Sequence, residues 1–154
     1  MKDLVLYHLQ FTLQKDSTQP SLATATQGLT AHQAAWRPSP DRHSIWQIVR
    51  HLLNFHQFVI QVLDGWNPDQ ADIDEMARRA WQEGVGDDGA WEAHVLLLSE
   101  LSQGLIARVS DATEEKLVSS YLGRRPFAAQ LQLLATHAMY HAGQIRYLRA
   151  LLGV

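Results

Sequence analysis

Residues 126–152 read PFAAQLQLLATHAMYHAGQIRYLRALL, and their spacing carries the fold. Phe127, Leu134, His137, His141, Ile145, Leu148 and Leu152 fall on one stripe of a long helix, because the steps between them match a period near 3.6. Pro126 can open that helix, since a first-turn residue has no intrahelical use for its N–H. Two histidines sit in the middle of an otherwise apolar face. That combination asks for both a helical core and a reason to bury imidazole.

The same period organises the rest of the chain. A first helix is expected over Lys2 to Gln14, ended by the stretch from Lys15 to Pro20. Short helical pieces follow over Ser21 to Gln27 and, capped by Thr30, through Ala35, and then a stiff loop over Trp36 to Pro40. Ser44 with Gln47 reads as a capping box opening a second long helix, which runs to Leu63 and stops at Asp64-Gly65. Arg50, Asn54, Gln57, Gln61 and Asp64 form its polar face. Ile48, His51, Phe55, Phe58 and Val62 form the opposite stripe, which directs His51 toward the core. A short helix over Asp72 to Trp81 is expected, then a third long helix over Ala90 to Val109 with Trp91, Val95, Leu98, Leu101 and Leu105 inward. Thr113 with Glu114-Glu115 suggests a brief turn of helix before a loop from Ser119 to Arg125. No alternating strand pattern is evident. Four long helices with polar outer faces and short helices in the connections predict an all-α four-helix bundle.

Composition bounds the function. A chain of 154 residues fits one domain spanning residues 1–154. Acidic residues outnumber basic ones, 16 to 13, which argues against nucleic acid as the main partner. With no cysteine there can be no disulfide, thiolate ligand or cysteine nucleophile, and a reducing cytoplasm is the expected location. No apolar run approaches the roughly 20 residues of a membrane span, so no membrane partner is expected.

The eight histidines carry the chemistry. His137 and His141 lie one helical turn apart, so both imidazoles can reach one ion, and His51 supplies a third nitrogen from another helix. Two readings stand on the residues alone: hydrogen-bonded core histidines, or three ligands of one divalent metal. The second removes the cost of burying several imidazoles whose ring nitrogens all need partners. An all-imidazole set suits zinc or nickel first, with iron, cobalt and manganese as alternatives, and it leaves a position for water or substrate. His94, near the inward face of the third helix, is the first candidate for a fourth ligand or proton shuttle, with a core or boundary role the favoured reading. His56 reads as structural, His8 as a wall of the pocket, and His32 and His43 as exposed. Gln47, Tyr140 and Gln144 lie beside the ligands and are expected to orient them. No His-Glu-x-x-His, zinc-deaminase cysteine pair, Gly-x-Ser-x-Gly turn or phosphate-binding glycine loop is present.

Two segments, His43 to His51 (HSIWQIVRH) and His137 to Ile145 (HAMYHAGQI), resemble the signature regions of the DinB-like superfamily, which includes the YfiT-like proteins. Pro20 to Leu22 (PSL) and Gly28 to Pro38 (GLTAHQAAWRP) resemble that family's approach to the second helix, whereas residues 66–120 carry little of it. The resemblance implies a bundle of up-down-down-up type, commonly dimeric, with a metal on His51, His137 and His141. Many relatives carry an acidic residue where this chain has Gln47, so a carboxylate base is not expected there. The resemblance further implies a metal-dependent enzyme acting on a small molecule, in the manner of thiol S-transferases that use a low-molecular-weight thiol. A hydrolase using metal-bound water and a non-catalytic, stress-associated metal-binding protein are the alternatives.

Overall fold

The computed structural model describes all residues from Met1 to Val154. Eight helices and one minimal pair of strands follow in the order α1 (Lys2–Leu13), α2 (Leu22–Thr26), α3 (Ala31–Ala35), α4 (Ile45–Leu63), α5 (Gln70–Arg78), α6 (Asp88–Asp111), α7 (Glu114–Val118), β1 (Ser120–Tyr121), β2 (Arg125–Pro126) and α8 (Phe127–Leu152). The fold is all-α. None of its helices is long and apolar enough to cross a membrane.

Helix starts are written into the sequence. Ser44 accepts the backbone N–H of Gln47 while the Gln47 side chain accepts that of Ser44, and Thr30 with Gln33 does the same for α3. Asp87 caps α6 and Asp69 caps α5 through their carboxylates. Such caps satisfy backbone donors that no helical carbonyl can reach, and each contributes on the order of 1 kcal/mol.

Named contacts orient the four long helices. Trp46 packs on Trp91 near the start of α4 and α6, and Arg108 clasps Asp64 near their ends at 2.7 and 2.9 Å, so the two run in the same direction. Lys2, at the start of α1, donates to the carbonyls of Ser110 and Ala112 at the end of α6. His51 meets both His137 and His141, whereas Phe55, one turn later, meets His137; α8 therefore runs against α4. Between these helices Leu9, Val49, Leu52, Val59, Leu105, Leu131, Leu134 and Ile145 are fully buried.

Three expectations change. The most deeply buried line of α4 is Ile45, Val49, Leu52, His56 and Val59, so the His51–Phe55 stripe lies on the shoulder of the core and both side chains are half-buried. The helix expected over Asp72 to Trp81 instead covers Gln70–Arg78, fixed by its Asp69–Asp72 capping box, and leaves Trp81 in the segment entering α6. The loop before α8 contains a two-residue antiparallel ladder, Ser120 opposite Pro126 and Tyr121 opposite Arg125. Leu122 and Gly123 turn it with positive φ (52° and 67°), and two-residue strands are too short to show alternation.

His56 is fully buried, and its Nδ1–H donates to the Leu52 carbonyl at 2.8 Å. Burial pushes the imidazole down to about 4 from 6.5, against the opposing pull of that carbonyl. The folded state thus holds this group neutral while the unfolded chain protonates it below about pH 6.5. Stability is fully present above pH 6.5 and is lost as pH falls from there through about 4. Urea denaturation in the presence of a chelator should show this loss, and His56→Leu should make the acid side shallower. A second expectation concerns Gly84, where a Cβ would overlap the Trp46 indole. Gly84→Ala should cost roughly 1–3 kcal/mol in the same assay, the range for overpacking a filled core.

Candidate metal centre

His51 sits on the second turn of α4, and His137 and His141 sit on consecutive turns at the middle of α8. The antiparallel crossing of these helices brings the three rings face to edge. His137 Nε2 lies 2.9 Å from His51 Nε2 and 3.0 Å from His141 Nε2. One ligating atom from each ring falls within 4.8 Å of the other two, and no carboxylate joins the group. A tetrahedral ion bound at 2.0–2.1 Å would hold such nitrogens about 3.3 Å apart. Each of these two separations would need to widen by only a few tenths of an ångström.

Electrostatics keeps these rings in the form a cation requires. Burial, with the nearby His141 and His137 adding to it, pushes His51 down to about 4. His141 is also pushed down to about 4, by burial and then by His137, and burial lowers His137. All three are therefore neutral near pH 7, and each retains one nitrogen lone pair. For His141 the tautomer follows from its partner: Nδ1–H donates to Gln144 Oε1 at 2.7 Å, leaving Nε2 bare toward the other rings. Gln144 in turn donates to the Tyr140 hydroxyl at 2.8 Å. Nδ1 of His51 and of His137 is buried with no hydrogen-bond partner. The Ala80 carbonyl is close enough to favour a proton on His51 but lies outside good hydrogen-bonding geometry. The donor set and its protonation fit a divalent metal.

Aromatic side chains wall the cluster. Trp81 lies flat on His51, with ring centres 4.1 Å apart and planes 2° from parallel, and turns its edge to His141. Phe55 meets His137 edge-on at 4.9 Å. His43 stacks on the outer face of Trp81 at 3.9 Å and 5°.

The structure brings together the three expected ligands and two of their expected supports, Gln144 directly and Tyr140 through it. Gln47 touches none of them. Its side chain completes the α4 cap and donates to the Trp81 carbonyl and the Glu83 carboxylate, both at 3.3 Å. His94 is not a fourth ligand: its Nδ1–H donates to the Ala90 carbonyl at 2.8 Å and its ring meets the edge of Trp46, outside the group of three. His8 does not line the site either but pairs with Gln132. His32 is exposed, and His43 is exposed yet stacked. The sequence placed Trp81 only at the end of a short helix and gave no signal that it meets the histidines, because the helix ends at Arg78 and the contact is made by the segment beyond it. A recess of about 400 Å³ between α1, α2 and α6 is lined by Leu13, Leu22, Trp91 and Leu98 and includes none of the three clustered histidines.

A family model described as the DinB superfamily matches residues 14–145, a span that takes in all three histidines. No curated protein and no solved structure gives a match. The matched span covers most of the 154 residues, and the chain belongs to the DinB superfamily.

Proposed function

We propose that His51, His137 and His141 hold one divalent metal ion, and that the chain is a metal-dependent enzyme acting on a small molecule, with S-transfer from a low-molecular-weight thiol as its chemistry. The observation that carries the reading is the convergence of three neutral imidazole nitrogens, with centres 2.9 and 3.0 Å apart, in a donor set that contains no carboxylate. A bound ion supplies Lewis acidity, which lowers the pKa of a thiol so that it reacts as the thiolate near neutral pH.

The chain's own residues favour sulfur over water as the nucleophile. Three neutral ligands leave the ion's full positive charge to attract an anion. Hydrolysis needs a general base within reach of the water it activates. No carboxylate stands in the group, and Gln47 is occupied by the α4 cap and the Trp81 segment. Phe55 packs edge-on against His137 and Trp81 covers one face of His51, so the cluster is partly shielded from water, which suits a desolvated sulfur nucleophile. Exposed apolar side chains on α1 (Leu4, Tyr7) and on α6 (Leu96, Leu97) support a homodimer as the working form.

Two measurements test this reading. Purified protein should carry about one equivalent of metal, and His137→Ala should lose it; unchanged metal content in the variant would remove the triad. The Co(II)-loaded protein should then develop a sulfur-to-cobalt charge-transfer band when a low-molecular-weight thiol is added. Metal binding without that band would leave S-transfer without its chemical basis and move hydrolysis to the front.

A further inference from the structure

We infer that Trp81 is a positioning residue for the site: its indole face takes the place of the hydrogen bond that would otherwise fix the His51 ring. The inference rests on the metal-centre reading above. A ligating histidine ordinarily donates its second ring nitrogen to a carbonyl, carboxylate or amide, which sets ring orientation and tautomer. His141 has such a partner in Gln144. His51 has only the Ala80 carbonyl nearby, outside good hydrogen-bonding geometry, and its buried Nδ1 makes no hydrogen bond. What it has instead is a parallel aromatic contact along its whole ring, 4.1 Å from Trp81 with 2° between the planes. Rotation of the imidazole about its Cβ–Cγ bond would drive it into the indole, so the stack restrains the torsion that a hydrogen bond would restrain.

For that contact to orient anything, Trp81 must itself be held. Its outer face is covered by His43, which completes a three-ring sandwich of His43, Trp81 and His51. Its backbone is tied to α4 on the polar side of the same helix that carries His51. Gln47 donates to the Trp81 carbonyl. Arg50 donates to the Glu83 carbonyl and, at 2.6 Å, to Gln82 Oε1, and Arg37 pairs with the Glu83 carboxylate. Gly84 then lets the chain pass against Trp46, where any side chain would collide. One helix thus holds the ligand and the segment that orients it.

The test is metal affinity, measured by chelator competition with Co(II) on wild type, Trp81→Phe, Trp81→Leu and Trp81→Ala, with His137→Ala as the reference for a destroyed site. Trp81→Leu fills space without a flat face, and it keeps the inference testable where the alanine variant fails to fold. Trp81→Leu and Trp81→Ala should weaken binding by about 10–100-fold, the usual effect of losing a ligand's outer partner. They should also shift the Co(II) d–d bands, whereas Trp81→Phe, which keeps a stacking ring, should retain most of the affinity and the wild-type spectrum. Wild-type affinity and spectrum in the leucine variant would overturn the role of Trp81 while leaving the three-histidine centre standing. A wild-type protein that binds no Co(II) would overturn the centre and this inference together.

Discussion

Three imidazole rings, with the His137 nitrogen about 3 Å from each of the other two, impose a condition on everything around them. They cannot all carry protons, because like charges at that distance in a poorly solvated site repel too strongly. Burial and mutual repulsion resolve the problem by keeping the rings neutral, with two of the three pushed down to about 4. Neutrality solves the charge problem and creates a hydrogen-bonding one. Each ring then has one lone pair and one N–H to satisfy, and a shared cation is the partner that answers three lone pairs at once.

The rest of the architecture can be understood as the means of bringing those rings together without unfolding the bundle. The heart of the core is hydrocarbon: Leu9, Leu52, Val59, Leu105 and Leu131 are sealed from solvent and need no polar compensation. Two of the three clustered histidines stand at its edge, and the third, His141, is buried beside them. His51 and His137 are half-buried on the shoulders of their helices, so a ligand can approach them without opening the core. His56 shows the contrast. One turn deeper on α4, it is fully enclosed, bonded to its own helix through Leu52, and has the environment of a structural histidine.

Much of this was legible because helices report themselves through a single period. The α8 stripe from Phe127 to Leu152 and the Ser44–Gln47 box fixed two helix positions and faced His51, His137 and His141 toward the same interior. Gln144 was also legible, since a residue three positions after His141 on a helix shares its neighbourhood. What was hidden depends on tertiary structure. Trp81 reaches the cluster only because the segment after α5 folds back over the start of α4, and no local pattern encodes that return. His94 takes the boundary role its period favoured: it lies near the inward face of α6, and the parallel run of α4 and α6 sets it beside Trp46 rather than at the cluster. Helical period gives a residue's face and leaves open which neighbouring helix covers it.

Gln47 shows how one residue joins the levels. As a capping residue it closes the first turn of α4 and so fixes the rotation of the helix that presents His51 one turn later. With its amide N–H it also holds the Trp81 carbonyl, and so places the ring that lies on His51. A carboxylate here could accept the Ser44 N–H equally well, but it has no proton with which to hold the Trp81 carbonyl and would set a negative charge beside Glu83. An acidic residue at this position would therefore give up one of the ties that hold the segment after α5 against α4. The glutamine and the folded-back tryptophan belong together, and both bear on the placement of His51.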